Sequence, residues 1–216
     1  MMTAIGMDEK RNVKLKVCSL NVRGLRNDKK RKKLFYWLKD RKYDIICLQE
    51  TFLTEDLENQ VNREWAGKTF HSFSNSYHTK GVSILFKPRL NFSVTSFYKD
   101  CEGRRALVNF NLNSDTVISI ASIYAPTVLA QRNDFLKRTS KWLKQYCASD
   151  TMLVVSGDFN CIYREVDRTS HTIDSSSKQF LDLQKYNDLH DLHKISNCIS
   201  PMYTWIDPAD PSHQSR

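Results

Sequence analysis

The sequence predicts an α/β domain in which stacked β-sheets are covered by helices. Three observations lead to this prediction: short apolar runs typical of strands recur along the chain, helical periodicity separates several of them, and the middle of the chain is rich in strand-like runs. This order of elements is typical of layered sheets and helices. With 216 residues, the chain is long enough to bury a sizeable core.

The front of the chain predicts a strand, a helix and a second strand. Residues 14–20 alternate between polar and apolar side chains, as a half-buried strand does. Asn27 and Asp28 can start a helix because their side chains accept hydrogen bonds from the free N–H groups of a first turn. The apolar stripe of this helix is formed by Leu34, Phe35 and Leu38. Residues 45–48 form a short apolar run, which indicates a buried strand.

The remaining elements follow without a Pro-rich or Gly/Ser-rich linker, so we expect an N-terminal tail at 1–13 and one domain at 14–216. In chain order they are strands at 82–86, 92–97, 106–112 and 116–123, a helix between Arg132 and Cys147, a strand at 152–155, a helix containing Phe180, Leu183 and Leu189, and an extended piece around Tyr203-Thr204-Trp205.

Composition excludes several classes of protein. With 40% hydrophobic and 26% charged residues, the chain is neither disordered nor of low complexity. Its apolar runs fall far short of the roughly 20 residues that a membrane span needs. No secretory signal is readable at the N-terminus, and the six cysteines form no CxxC pair. We therefore expect reduced thiols in a cytosolic or nuclear protein that is not secreted and does not enter a membrane.

The basic residues are concentrated at the front of the chain. The net charge is +9, and residues 1–50 hold 14 Lys and Arg against 6 Asp and Glu, whereas the other residues hold 19 against 18. The densest run is Lys29-Lys30-Arg31-Lys32-Lys33. Such a patch attracts polyanions, most simply nucleic acid phosphates, although a solvated helix face or a localisation signal explains a basic run equally well.

Polar side chains follow four of the predicted strands, at the point where each strand ends. They are Asn21, Glu50, Tyr124, and Asp158 with Asn160. A single one of them is explained by an ordinary strand cap or turn. Four together favour a site, because α/β proteins build their sites from residues at strand ends.

The residue types at these ends suit metal-assisted phosphodiester chemistry. Asp158 and Asn160 are two residues apart in an extended segment, so both side chains can face one pocket, where the carboxylate accepts a proton from water and the amide orients that water. Glu50 offers the hard oxygen that Mg²⁺ prefers. The hydroxyl of Tyr124 can donate to a phosphoryl oxygen.

Six motifs occur in a fixed order along the chain: Ser19-Leu20-Asn21-Val22-Arg23-Gly24, Leu48-Gln49-Glu50-Thr51, Lys80-Gly81-Val82, Tyr124-Ala125-Pro126, Gly157-Asp158-Phe159-Asn160 and Tyr203-Thr204-Trp205. In this order they resemble the endonuclease/exonuclease/phosphatase family. The chain looks most like the apurinic-like endonuclease domains of non-LTR retrotransposons of the long interspersed element type. The segment 22–26 with its basic helix, and Val166-Asp167-Arg168, are particularly similar to that branch. The resemblance runs from about Leu15 to the last residue.

The resemblance implies a four-layer α/β-sandwich, with two packed β-sheets flanked by helices. It also implies roles for individual residues: Glu50 as Mg²⁺ ligand with Asn21 in support, Asp158 as the base, Asn160 orienting the water, Tyr124 bonding the scissile phosphate, and Thr204, Arg23, Lys30 and Lys32 facing DNA. Mn²⁺ is the alternative metal. The implied reaction nicks one strand of double-stranded DNA and leaves a 3′-hydroxyl for a reverse transcriptase domain to extend. The implied site of action is the nucleus, with the cytoplasm as a further location.

The sequence departs from the family pattern near its end. In the family, a Ser-Arg-Ile-Asp-like strand and later a Ser-Asp-His motif follow, whereas this sequence stops at Ser215-Arg216. We therefore expect the last strands to be missing and the activity of this chain to be impaired. We expect His213, in a tail rich in Pro and Ser, to be exposed rather than to substitute for the family's histidine. Two alternatives stay open: an inactive remnant that binds DNA, and a phosphoesterase for small molecules on the same fold.

Overall fold

The computed structural model describes residues 2–4, 14–73, 79–112, 116–195, 205–206, 212 and 214–215. The chain forms two compact units. The first unit comprises Met1–Tyr124 with Tyr146–Asp158, and the second comprises Ala125–Gln145 with Phe159–Arg216. Each unit is described by itself below.

Eleven strands and five α-helices are formed by the described residues. The strands are β1 (Met2–Ala4), β2 (Val17–Asn21), β3 (Ile45–Gln49), β4 (Thr69–Ser72), β5 (Val82–Phe86), β6 (Ser93–Lys99), β7 (Arg105–Asn111), β8 (Val117–Tyr124), β9 (Met152–Asp158), β10 (Trp205–Ile206) and β11 (Gln214–Ser215). The helices are α1 (Asp28–Asp40), α2 (Glu58–Trp65), α3 (Leu129–Tyr146), α4 (Ser177–Tyr186) and α5 (Leu192–Ile195).

Two mixed β-sheets make up most of the first unit. One sheet has the strand order β1-β2-β3-β5-β4 and the other has the order β6-β7-β8-β9. Each contains one parallel pair, β2 with β3 and β8 with β9, while the neighbouring pairs are antiparallel. The two parallel pairs matter for function because the carboxyl ends of parallel strands lie side by side at one edge of a sheet.

The two sheets pack face to face through one apolar core. Ile45 and Ile84 of the first sheet belong to the same buried cluster as Val108, Phe110 and Ile120 of the second. Alternation along the strands places these side chains on the inner faces. Burying such side chains contributes about 1.5–3 kcal/mol each to folding, so this layer is the main source of stability in the unit.

Helices α1 and α2 cover the outer face of the first sheet. The Asn27 side chain accepts a hydrogen bond from the Lys30 amide at 3.0 Å, which caps the start of α1 as the sequence predicts. Phe35 of α1 meets Trp65 of α2 edge to face, with ring centres 5.4 Å apart. Both rings pack with Ile46 and Leu48 of β3, so the sheet is apolar on both faces.

The second unit is organised around a buried arginine of α3. The guanidinium of Arg132 donates to the Asp174 carboxylate and to the Ser176 hydroxyl, each at 2.7 Å, and to the carbonyls of Pro126 and Thr127 at 3.4 and 2.7 Å. A buried charge is costly unless it is paired and hydrogen-bonded, and Arg132 meets both conditions. It therefore joins the segment before α3 to the loop before α4.

The α/β fold with two packed sheets and flanking helices is confirmed. Every strand predicted between residues 14 and 155 is present within a few residues of its expected bounds, as are α1, α3 and α4. Helix α4 ends at Tyr186, so Leu189 lies beyond the helix to which it was assigned. Tyr203 and Thr204, in the predicted last extended piece, lie outside the described residues. Among the helices in the described part of the chain, none has both the length and the apolar character to cross a membrane.

Candidate active site

The polar residues predicted from strand ends lie at the carboxyl ends of the two parallel pairs. Asn21 ends β2, and its register partner Gln49 is followed directly by Glu50. Tyr124 ends β8 and is the register partner of Asp158, which ends β9. Each sheet therefore contributes two of the candidate residues. Because the sheets pack face to face, the four strand ends that carry these residues are neighbours.

Asn21 joins the two sheets at this point. Its side-chain nitrogen donates to Glu50 Oε1 at 2.8 Å and to Asp158 Oδ2 at 2.9 Å. Its side-chain oxygen accepts from the backbone amide of Arg23 at 3.2 Å, which fixes the orientation of the amide group. Two carboxylates that accept from one nitrogen lie close together, and their like charges repel each other across this short distance.

The backbone around Glu50 holds this residue in a conformation that is uncommon for side chains other than glycine. Its φ is +52°, in the left-handed region. The carbonyl of Glu50 accepts from the Gly24 amide at 2.6 Å, and the next amide, that of Thr51, donates to the carbonyl of Gly81 at 3.0 Å. Strain of this kind costs about 1–3 kcal/mol and persists only where the surroundings enforce it.

Tyr124 completes the cluster in the first unit. Burial raises the pKa of its phenol well above the ordinary value, and interaction with the Glu50 carboxylate, followed by the charge of Asp158, raises the pKa further. The phenol is therefore neutral at physiological pH and keeps its proton for donation.

Arg104 lies beside Tyr124 and was not among the residues singled out from the sequence. Its guanidinium carbon is 5.1 Å from the centre of the tyrosine ring, and Nη1 donates to the Tyr124 carbonyl at 3.1 Å. Its side chain is 11% exposed, and desolvation lowers its pKa. The sequence signal is the adjacent pair Arg104-Arg105 directly before the apolar run Ala106-Leu107-Val108, an unusual place for two charges.

Asn160 belongs to the second unit. Its side-chain amide donates to the carbonyl of Ala125 at 2.8 Å, and its φ is +48°, a conformation that asparagine tolerates better than most residues. The carbonyls of Pro126 and Thr127, which follow Ala125, accept from Arg132. Arg132 thereby fixes the segment against which the Asn160 amide is held.

The residues predicted to face DNA have different surroundings. Arg23 and Lys32 are exposed, and Lys32 lies 3.5 Å from Asp28 one turn away. Lys30 is exposed as well, and its ammonium donates to two backbone carbonyls, those of Val22 and Arg23, each at 2.8 Å. Thr204 and His213 lie outside the described residues.

A buried polar connection beneath the cluster also escaped sequence analysis. Gln49 Nε2 donates to the Ser122 hydroxyl at 3.1 Å, and Gln49 Oε1 accepts from the Ser19 hydroxyl at 3.3 Å. Gln49 is 1% exposed, so these bonds satisfy an amide that would be costly to bury alone. Because β3 and β8 belong to different sheets, the bond from Gln49 to Ser122 also fixes the position of one sheet against the other next to Glu50 and Tyr124.

The donor chemistry of the cluster fits a hard divalent cation. Glu50 and Asp158 supply carboxylate oxygens that converge on one amide nitrogen, and a cation between such carboxylates relieves their repulsion. Within the described residues, no group of three or more His, Cys, Asp and Glu side chains is arranged to hold a metal ion.

One similar protein is encoded by a transposon. A transposon TX1 protein of Xenopus laevis, described as an uncharacterized 149 kDa protein, is 28% identical over 194 residues, and these residues are 89% of this chain. This chain spans only 14% of the length of that relative.

Two solved structures share the fold. An AP endonuclease of Archaeoglobus fulgidus matches with a TM-score of 0.66 at 20% identity, over 90% of this chain and 79% of its own. The AP endonuclease LMAP of Leishmania major matches with a TM-score of 0.66 at 16% identity, over 89% of this chain and 72% of its own. The model of the endonuclease/exonuclease/phosphatase family itself matches residues 18–213. Because this match takes in nearly the whole sequence, the chain belongs to the endonuclease/exonuclease/phosphatase family.

Proposed function

We propose that the chain is a DNA endonuclease domain of a retrotransposon protein, which hydrolyses one phosphodiester bond in a duplex and leaves a 3′-hydroxyl. One observation carries the proposal: Asn21 donates to both Glu50 and Asp158 at the ends of the two parallel strand pairs, where Tyr124 also ends its strand. The family name limits the chemistry to phosphate esters, and the similarity to a transposon protein favours a nucleic acid substrate.

In the proposed reaction, Asp158 accepts a proton from the attacking water. Its carboxylate is oriented for this by the bond from Asn21. Asn160 is proposed to orient the attacking water, as the family resemblance implies. The neutral hydroxyl of Tyr124 donates to a phosphoryl oxygen as negative charge develops there, and its raised pKa keeps that proton in place.

Glu50 would hold a divalent cation, with Asn21 orienting its carboxylate. Mg²⁺ is the expected metal and Mn²⁺ its substitute, because both take oxygen ligands. When bound, such an ion neutralises phosphate charge and stabilises the leaving oxygen. The chain's contribution is to keep the two carboxylates at a fixed separation before substrate arrives, which lowers the entropic cost of reaching the transition state.

The charge distribution supports double-stranded DNA as the substrate. Arg23 and Lys32 are exposed in the region of the chain that holds most of the net charge of +9. Contacts with phosphates release counterions, so binding should weaken steeply as salt is raised. A reverse transcriptase domain that extends the 3′-hydroxyl, and action in the nucleus, are parts of the same proposal.

Nicking of supercoiled plasmid tests the proposal. The chain is incubated with plasmid and Mg²⁺, with EDTA, and beside an Asp158→Asn variant, which keeps the size of the side chain and removes its basicity. We expect relaxed circles from the native chain, none with EDTA, and a loss of at least about a hundredfold in the variant. An Asp182→Asn variant, with the same change on α4, should nick like the native chain.

The two alternatives predict other outcomes. If the chain binds duplex DNA in a salt-dependent manner but does not nick it, the chain is an inactive DNA-binding protein rather than an endonuclease. Hydrolysis of p-nitrophenyl phosphate that depends on Asp158, without nicking, would assign a phosphoesterase for small molecules. Equal nicking by the native chain and the Asp158→Asn variant would remove Asp158 from the role of base.

A further inference from the structure

We propose that Lys30 is a positioning residue whose ammonium fastens the turn at residues 22–24 and thereby holds Asn21 against Glu50 and Asp158. This inference rests on the proposed function, because the positioned groups are those proposed to act on the phosphodiester. The charge pattern predicts that all lysines of the basic run bind phosphates. The proposal instead gives Lys30 a structural role that the other lysines do not share.

The turn at residues 22–24 contains two consecutive residues in the left-handed region. Arg23 has a φ of +47° and Gly24 a φ of +89°. The Lys30 ammonium donates to the carbonyls of Val22 and Arg23, both at 2.8 Å, and so engages two of its three N–H groups. A charged donor makes a stronger hydrogen bond than a neutral one, which suits it to stabilise a turn with an unfavourable backbone.

The same turn is bonded directly to the site. The amide of Arg23 donates to the side-chain oxygen of Asn21 at 3.2 Å. The amides of Val22 and Gly24 donate to the carbonyls of Gln49 and Glu50 at 2.9 and 2.6 Å. Any shift of the turn therefore reaches Asn21 through its side chain and Glu50 through its backbone.

Arg31, the next residue of α1, fastens the following part of the segment. It is 1% exposed, forms a bidentate ion pair with Glu64 of α2, and donates to the carbonyls of Leu25 and Arg26 at 2.9 and 3.2 Å. Two adjacent basic residues thus donate to four of the five backbone carbonyls that follow Asn21. Lys30 and Lys32 are both exposed, but Lys32 pairs with the Asp28 side chain of its own helix, one turn away.

The experiment compares Lys30→Met with Lys32→Met, two variants that remove the same charge from neighbouring positions of one helix. Three quantities are measured for each: kcat and KM for plasmid nicking, the slope of duplex affinity against salt, and hydrogen exchange of the amides at residues 22–25. Lys30→Arg serves as the conservative variant, because a guanidinium can donate to both carbonyls.

For Lys30→Met, we expect faster exchange at residues 22–25, a kcat lower by about tenfold or more, and an unchanged salt slope. For Lys32→Met, we expect unchanged exchange, a higher KM, and a salt slope smaller by about one. Lys30→Arg should recover most of the native exchange protection and kcat.

The proposal is wrong if the amides at residues 22–25 exchange in Lys30→Met as slowly as in the native chain. It is also wrong if Lys30→Met reduces the salt slope as much as Lys32→Met does. Either result would indicate that Lys30 binds phosphates instead. Faster exchange with native kcat would overturn the link between the turn and catalysis. If the native chain does not nick DNA, the proposed function fails by itself. In that case, exchange and salt slope still decide whether Lys30 holds the turn.

Discussion

Asn21 donates a hydrogen bond to Asp158 at 2.9 Å across 137 positions of the chain, and so ties the end of a strand in one sheet to the end of a strand in the other. The same nitrogen donates to Glu50 at 2.8 Å. One neutral side chain thus sets the separation of two carboxylates whose charges repel each other. A site of this kind depends on the packing of the two sheets as much as on its own residues.

Asn21→Ala should reduce nicking by about a hundredfold or more, because the variant loses the donor that orients both carboxylates. The thermal midpoint should change little, since Asn21 lies at the end of its strand rather than in the core. Plasmid nicking and a thermal melt on the same samples test both statements. Asn91→Ala, at an exposed position outside the cluster, is the matched control. Native activity in Asn21→Ala would contradict the proposed role.

Tyr124→Phe should reduce kcat by about tenfold to a hundredfold, because the phenyl ring keeps its packing but cannot donate to the phosphate. The position also has a spectroscopic signature. Burial and the neighbouring carboxylates raise the pKa of the phenol, so Tyr124 should ionise above the ordinary range for tyrosine. The difference between ultraviolet titrations of the native chain and the variant isolates this group.

Tyr186→Phe, at an exposed position of α4, is the control for Tyr124→Phe. It should leave kcat unchanged, because this phenol lies on the surface of α4 outside the cluster. A difference titration in which Tyr124 ionises near the ordinary tyrosine pKa would show that the carboxylates do not act on it as described.

Arg104 should act through Tyr124, because its guanidinium contacts both the ring and the carbonyl of that residue. Arg104→Met should lower kcat by about tenfold in the native background and have much less effect when Tyr124 is already phenylalanine. A double-mutant cycle on kcat measures this coupling. Additive losses would show that Arg104 affects the reaction independently of the tyrosine hydroxyl.

The sequence predicts the strand ends at which the candidate residues lie better than it predicts the hydrogen bonds between them. Because the carboxyl ends of parallel strands coincide, the predicted strand ends bring Asn21, Glu50, Tyr124 and Asp158 to the ends of the two parallel pairs. The bond between Asn21 and Asp158 depends on how two sheets pack, and no local pattern contains that information. Arg104 escaped notice for the same reason, since its partner is 20 positions away on another strand.

The elements that sequence analysis missed are short or weakly patterned. Helix α2 has only eight residues, of which Val61 and Trp65 are buried, so its periodicity spans a single repeat. Strand β4 has four residues and contains the buried polar pair His71 and Ser72 in place of an alternating apolar face. Tertiary contacts, rather than local preference, stabilise both elements.

Gly157→Ala should destabilise the first unit by about 3 kcal/mol or more, because there is no space for a methyl group. A Cβ at this position would lie 2.0 Å from the carbonyl oxygen of Ile123, on the parallel partner strand. The backbones of β8 and β9 would have to separate just before Tyr124 and Asp158. Chemical denaturation measures the loss, and a free energy of unfolding equal to that of the native chain would contradict the close approach of the two strands.

His71 should make the stability of the first unit depend on pH between about 6.5 and 4. Its ring is buried, with Nδ1 2.7 Å from the Ser83 hydroxyl. Burial, and to a smaller extent the charge of Lys99, lower its pKa from 6.5 to about 4. Because the folded-state pKa is depressed, the unfolded chain binds more protons in this range, and stability rises with pH.

The contribution of His71 is fully present above about pH 6.5 and is lost as the pH falls through about 4. It amounts to about 3 kcal/mol, obtained from the difference between the two pKa values. Urea denaturation at a series of pH values should therefore show a steeper loss of stability on acidification in the native chain than in His71→Gln. His190→Gln changes a histidine whose side chain is 72% exposed, and it should keep the native slope. Equal slopes in the native chain and His71→Gln would mean that the imidazole can be protonated without loss of its packing.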